Sequence, residues 1–124
     1  MANEVMRVLS FTVDSQDAAE GVIEFESLEE MTIVGVSLCA EAFTGSPTGF
    51  DVDIQDDGTD AITGVAANTA GTPGTWKTAH MGGAQTPVSI AAGSSVEVDV
   101  NLTGGSSPTA DFTLLIYYLA GAQG

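Results

Sequence analysis

The segment at residues 95–119 most constrains the fold, because it predicts two neighbouring β-strands of different character. In its first half, polar residues alternate with the apolar residues Val96, Val98, Val100 and Leu102. This period of two predicts a strand with one buried face and one solvated face. After a break at residues 104–108, residues 112–119 are apolar on both faces, which predicts a strand covered on both sides. An amphipathic strand beside a fully buried one is typical of two packed sheets.

The rest of the chain also has the pattern of short strands. Asp57 and Gly58 predict a tight hairpin turn, because a type I′ turn needs positive φ at both central residues. Gly35 lies inside an apolar segment and predicts a bulge or a close backbone approach. At most a helical turn is expected at residues 17–21. Further strands are predicted at residues 5–13, 22–26, 31–42, 50–55, 59–65, 76–79 and 88–90.

These elements predict an all-β fold for a single domain spanning residues 1–124. The expected architecture is a two-sheet β-sandwich or jelly roll of about eight antiparallel strands. Turn signals recur every eight to twelve residues or so, as in such folds. Residues 66–87 form the irregular part of the chain, where a long loop is usually functional.

The charge of the chain is strongly one-sided, with 17 acidic residues, two basic residues and a net charge of −15. Fourteen of the acids lie within residues 4–60, and none lies within residues 61–96. We therefore expect one strongly negative and one nearly neutral part of the surface. Without a basic patch, no binding of nucleic acid or of an anionic membrane is expected. The negative part suits a cationic partner, a divalent ion or solubility alone.

Cys39 is the only cysteine, so neither an internal disulfide nor a multi-cysteine metal site is possible within this sequence. Its apolar surroundings predict a small buried thiol. The first residues lack the basic and apolar regions of a secretory signal, and the longest apolar run is too short to cross a bilayer. The chain is expected to fold in a reducing cytosol and to need no cofactor.

Catalytic motifs are not apparent. His80 is the only imidazole and lies in a Gly-rich segment, with no spacing that suggests a catalytic triad. Neither a nucleophile elbow nor a phosphate-binding loop occurs. Paired carboxylates remain possible, but their abundance alone is no evidence for hydrolysis. We therefore expect that the protein is not an enzyme.

The acidic hairpin is a candidate for a calcium site. Asp53, Gln55, Asp57 and Gly58 match the opening spacing of a calcium loop, and Asp56 and Asp60 offer further oxygens. The match is incomplete, because Gln55 replaces the usual Asp or Asn and Gly64 stands where a bidentate Glu is expected. The alternative is a solvated hairpin whose acids discourage pairing between sheet edges.

Trp76, Lys77, His80 and Met81 are candidates for an interaction surface, because Trp and Met are common anchors and this segment lacks acids. The alternative is that Trp76 closes the end of the core. Tyr117 and Tyr118 are further interface candidates. As neighbours in one strand they point to opposite faces, so at least one phenol must reach a partner group, water or another subunit.

Three features together suggest a family: the acidic hairpin at residues 51–58, a middle region rich in Ser, Thr, Gly and Ala, and the ending at residues 111–119. The chain resembles the small jelly-roll cement (decoration) proteins of tailed bacteriophage capsids. The resemblance implies a structural virion protein, assembled in the host cytoplasm, that binds the outer capsid surface as a homotrimer. Its partners would be the major capsid protein and other copies of itself. The family offers no catalytic residues to carry over.

The sequence is also compatible with two other functions. A carbohydrate-binding module would bind glycans through exposed aromatic residues, although a single Trp is a poor stacking platform. A calcium-dependent adhesive module, for example of a phage tail, would use the acidic hairpin.

Overall fold

The computed structural model describes residues 6–67, 76–80 and 87–121, and all the regular structure in these ranges is β-strand. None of these residues belongs to a helix that is long and apolar enough to cross a membrane. The strands are β1 (Met6–Gln16), β2 (Ala19–Glu26), β3 (Met31–Thr44), β4 (Gly49–Asp56), β5 (Thr59–Ala67), β6 (Trp76–His80), β7 (Val88–Ile90), β8 (Ser95–Thr103) and β9 (Thr109–Ala120).

The strands form two antiparallel sheets. Sheet A has the order β1-β9-β3-β6, and β7 pairs with β3 beside β6. Sheet B has the order β2-β8-β4-β5. If β6 and β7 are counted as one interrupted strand, each sheet has four strands, and consecutive strands alternate between the sheets except at the β4–β5 hairpin, as in a jelly roll. The predicted all-β sandwich is confirmed.

The core lies between the two sheets and is built by alternating residues of the central strands. Val96, Val98 and Val100 of β8 face inward and are at most 2% exposed. Phe112 of β9 is fully buried, and its ring centroid lies 5.4 Å from that of Phe50 in the opposite sheet. Leu114 and Ile116 continue the buried side of β9. The period of two in the sequence therefore predicted the inward residues correctly.

The prediction that β9 is buried on both faces was wrong. Only its inward residues are buried, whereas Thr113, Leu115, Tyr117 and Leu119 on the outward side are partly exposed. Among the described residues, no third layer covers this side of sheet A. The long apolar run therefore reflects a half-buried outer face rather than a central position between two layers.

The local signals had mixed outcomes. Asp57 and Gly58 have φ values of 50° and 81°, which confirms the predicted hairpin turn. A register shift between Ile33 and Gly35 confirms the bulge in β3. Residues 17–21, where at most a helical turn was expected, contain none, because β2 already begins at Ala19. The polar composition of this segment is explained by a bulge at the edge of sheet B rather than by a helix.

Candidate interaction surfaces

The outward side of sheet A forms one candidate surface. Three rows of paired residues cross its four main strands, and residues paired in this way lie on the same face. The rows are Val8/Tyr117/Gly35/His80, Ser10/Leu115/Ser37/Thr78 and Thr12/Thr113/Cys39/Trp76. We call this surface the neutral face and define it by Met6, Val8, Ser10, Leu115, Tyr117 and Leu119.

The neutral face is apolar and nearly free of acids. Met6 is 57% exposed and Val8 is 48% exposed. Ser37 and Cys39, at outward positions of β3, are 4% and 2% exposed. The acids that border this face, Glu41 and Asp111, lie together at one end, where they accept hydrogen bonds from Thr113 and from the backbone of Ser15. Because the chain has a net charge of −15, this uncharged sheet face differs in electrostatic character from the rest of the surface.

The outward side of sheet B is the opposite in character. Glu24 lies directly opposite Glu97, and Asp53 lies directly opposite Asp99. Like charges in directly opposed positions repel each other. We call this surface the acidic face; its acids are Glu24, Glu26, Asp51, Asp53, Asp60, Glu97 and Asp99. The predicted contrast in charge is present, but it separates the two sheets rather than two segments of the sequence.

Two aspartates of the acidic face have structural roles at the edges of sheet B. The Gly21 amide donates to Oδ1 of Asp99 at 2.8 Å, and the Gly64 amide donates to Oδ1 of Asp53 at 2.9 Å. Both glycines have positive φ and lie at register shifts in the edge strands β2 and β5. Each aspartate therefore satisfies the backbone amide that a glycine bulge leaves unpaired.

Of the four predicted calcium ligands, Gln55 and Asp60 are in direct contact, whereas Asp53 and Asp57 bond to other groups. Asp53 also accepts a bond from Asn101, Gln55 donates to Asp60, and Asp57 accepts a bond from the Ser95 amide. These residues lie on an extended strand and a two-residue turn rather than in a loop that wraps an ion. Within the described ranges, no group of three or more His, Cys, Asp or Glu side chains is arranged to hold a metal ion.

The six residues predicted as interface candidates lie in different parts of the structure. The backbone pairing of β6 places Trp76 and His80 at positions on the neutral face, in the same rows as outward residues of β3 and β9. Tyr117 lies on this face too, and its hydroxyl accepts a bond from Ser37 at 3.5 Å. Tyr118 packs against the core, as expected for a neighbour in the same strand. Lys77 pairs with inward-facing Leu38, and Met81 lies outside the described residues.

A small apolar cleft lies between the edge strands β1 and β2. Its volume is about 220 Å³, and Leu9, Phe25, Leu28, Met31 and Tyr118 supply most of its lining. Leu28 is 90% exposed, which is unusual for a large aliphatic side chain. Glu26 and Glu29 also line the cleft, and Arg7 lies 3.6 Å from the Glu29 carboxylate.

Comparison with known proteins gives little further information. No protein-family model matches the chain, and no curated protein matches it either. Among solved structures, a chain of the T13 IBDV viral particle is similar, with 18% sequence identity and a TM-score of 0.29. The match covers 96% of this chain, which spans only 36% of the length of that viral chain.

Sequence reasoning missed several residues of these surfaces. Val8 and Ser10 belong to the neutral face, and their uncharged alternation with Leu9 and Phe11 was a usable signal. Leu28 lies between the predicted strands at residues 22–26 and 31–42 and was not predicted as a contact residue. The cleft itself has no local signal, because its walls come from four strands and one loop.

Cys39 provides a test of how tightly the neutral face is packed. Burial raises the pKa of its thiol above the ordinary value of 9.0, and the Glu41 carboxylate raises it further. The thiol is only 2% exposed, so we expect no reaction with a thiol reagent at pH 8 until the protein unfolds.

The raised pKa of Cys39 also makes the stability of the protein depend on pH. The pKa of the Cys39 thiol is higher in the folded than in the unfolded state. The contribution of this thiol to stability is therefore fully present below the unfolded pKa and is lost as pH rises through the folded pKa. Relative to Cys39→Ala, the wild type should therefore lose stability above about pH 9 and not below it. Urea unfolding at several pH values tests this, and a difference that is constant with pH would contradict it.

Proposed function

We propose that the chain is a structural virion protein that binds the outer surface of an assembled capsid as a homotrimer and stabilises contacts between coat subunits. The observation that carries this proposal is the contrast between the neutral face and the acidic face of a rigid jelly roll. Such a module needs adhesive surfaces rather than a catalytic site. Its partners would be the major capsid protein and two further copies of itself, and neither nucleic acid nor a membrane.

The neutral face is the surface through which the copies associate. Chains of charge −15 repel each other, so contact is favourable only where few charges must be brought together. The neutral face offers exposed Met6 and Val8 beside Tyr117, and the register positions of Trp76 and His80. Aromatic residues and Met are enriched at the centres of protein interfaces. In a cyclic trimer this face would be turned toward the three-fold axis.

The acidic face is then left toward solvent or toward a basic partner. Its charges keep free copies soluble and apart until they meet the capsid. A trimer binds the capsid through several contacts at once, which can raise its affinity by roughly 10²–10⁴-fold without a strong single site.

The alternative functions have less support. A calcium-dependent adhesive module would need the hairpin carboxylates for an ion, but Asp53 and Asp57 already accept backbone hydrogen bonds. A carbohydrate-binding module would need exposed aromatic rings in a groove, whereas Phe11 and Phe25 stack on each other and the outward Tyr117 hydroxyl is bonded to Ser37.

The experiment compares Tyr117→Glu with Tyr117→Phe. The glutamate places a charge at the centre of the neutral face and should convert the trimer of 12.6-kDa chains into monomers in sedimentation. Loss of avidity should then weaken binding to capsids purified without this protein by about 100-fold or more. The phenylalanine keeps the apolar surface and should retain both properties.

Thr103→Glu is the matched control, because it adds the same charge at an exposed position of sheet B that pairs with Gly49 rather than with an acid, and it should leave assembly unchanged. Circular dichroism establishes that each variant is folded. A wild-type protein that stays monomeric at high concentration and has no affinity for capsids would refute the proposal.

A further inference from the structure

The four sheet edges of the sandwich differ in how well they are protected against an added strand. In sheet B, the edge strands β2 and β5 each contain a glycine bulge whose amide is held by an aspartate. At one edge of sheet A, β6 and β7 are short, with five and three residues. Bulges and short strands are devices that prevent pairing with another chain.

The edge at β1 has such a feature only at its end, where the register shifts between Val13 and Gln16 and the Ser15 amide donates to Oδ1 of Asp111 at 2.6 Å. Its first eight residues, Met6 to Val13, have neither a bulge nor a glycine. β1 pairs with β9 in an unbroken register from Met6 to Val13, and no strand within residues 6–67, 76–80 and 87–121 pairs with its other side. This stretch contains no proline or glycine, and Arg7 is its one charged residue. A long, regular and weakly charged edge is a template for an added strand.

The apolar cleft lies next to this edge and gives it a place for an anchoring side chain. Leu9 of β1 and Phe25 of β2 form two of its walls, and the exposed Leu28 stands beside them. A cavity of about 150 Å³ lined by apolar side chains holds benzene. The 220 Å³ of the cleft therefore have room for one aromatic or branched aliphatic side chain.

Charge indicates which kind of chain would bind there. Glu26 and Glu29 line the cleft, and Arg7 neutralises only the second of them. A second copy of this chain is a poor occupant, because it has a charge of −15 and only two basic residues. An extended segment with Lys or Arg beside an apolar residue is complementary to both the cleft and its acids.

We propose that an extended, basic segment of the coat protein adds as a strand to the free edge of β1 and inserts one apolar side chain into the cleft. This inference rests on the proposed function for the identity of the partner. The main-chain bonds to β1 supply affinity, and the cleft with its acids selects the sequence.

Two exposed substitutions test the site without disturbing the core. Leu28→Ser removes the apolar wall, and Glu26→Lys reverses one charge. Each should weaken binding to purified capsids about tenfold, whereas Glu20→Lys, the same charge change at another exposed position of β2, should change it less than about twofold. Amide hydrogen exchange gives the direct readout, because backbone amides of β1 should exchange more slowly in the complex.

A second arm does not depend on capsids. A seven-residue peptide that alternates Lys with Val and has a central Leu serves as the probe, and its counterpart with Glu in place of Lys serves as the control. At millimolar concentration the basic peptide should shift the NMR signals of the β1 amides, and the acidic one should not. Leu28→Ser should reduce the shifts.

The outcomes separate this inference from the proposed function. If capsids bind the wild type but neither substitution weakens binding and the β1 amides stay unprotected, the function stands and the added strand is refuted. If capsids do not bind, the function fails and the peptide arm decides on the site. Protection of β1 that grows with protein concentration alone would make a second copy the occupant and overturn the proposal.

Discussion

Replacing Phe112 with alanine is expected to lower the free energy of unfolding by about 3–5 kcal/mol. Phe112 is fully buried in β9, and its ring meets Phe50 of the opposite sheet at a centroid distance of 5.4 Å. The truncated side chain therefore leaves a cavity between the two sheets, which the surrounding strands can fill only in part. The loss of transfer free energy and the cavity both destabilise the fold.

Urea unfolding measures this change, and Leu115→Ala is the control. Leu115 lies in the same strand, but its side chain is on the half-exposed outward side. Its truncation should cost about 1 kcal/mol, because less apolar surface returns to water. Equal losses for the two variants would mean that both faces of β9 are buried, and the single core between the two sheets would then be wrong.

The fold was predictable wherever one face of a strand is buried. The alternation at Val96, Val98 and Val100 identifies the inward side of β8 regardless of its neighbours. The turn at Asp57 and Gly58 was equally predictable, because positive φ at both positions leaves few residue types possible. Both features depend on contacts or dihedral angles that are local in the sequence.

The interaction surfaces were not predictable in the same way. Acid-free residues 61–96 suggested a neutral surface, but the neutral face is formed largely by β1 and β9, which lie at the two ends of the chain. Such a surface exists only after strands distant in sequence have paired. The apolar run in β9 also led to the wrong prediction that both faces of this strand are buried, because apolar residues on a half-exposed face look the same in the sequence as buried ones.

The edges of sheet B show why abundant acids are weak evidence for a metal site. Asp53 and Asp99 lie directly opposite each other, and each of them also holds the amide of a glycine bulge. The bulges protect the edges, and the aspartates make the bulges possible. The acids of the hairpin therefore have a structural role that spacing alone did not reveal. The regular stretch Met6–Val13 of β1, which lies before the bulge at Ser15, is the part of the sheet edges that needs explanation.

The second large effect is expected at Gly105, where two loops approach each other at one end of the sandwich. The loop between β8 and β9 contacts the loop between β3 and β4, and the Ser106 amide donates to the Gly45 carbonyl at 2.9 Å. Gly105 has a φ of 72°, and a Cβ atom at this position would overlap the backbone oxygens of Gly45 and Ser46. Neither oxygen belongs to a flexible side chain, so the two loops would have to separate.

Gly105→Ala should therefore lower the free energy of unfolding by about 2–5 kcal/mol, as the sum of about 1–2 kcal/mol for positive φ and about 1–3 kcal/mol for the overlap. Gly58→Ala is the matched control, because Gly58 has a φ of 81° and nothing within 4 Å of the added atom. Gly58→Ala should therefore lower the free energy of unfolding only by the about 1–2 kcal/mol that positive φ costs. Urea unfolding of both variants measures the difference, and equal destabilisation would show that the loops do not meet at Gly105.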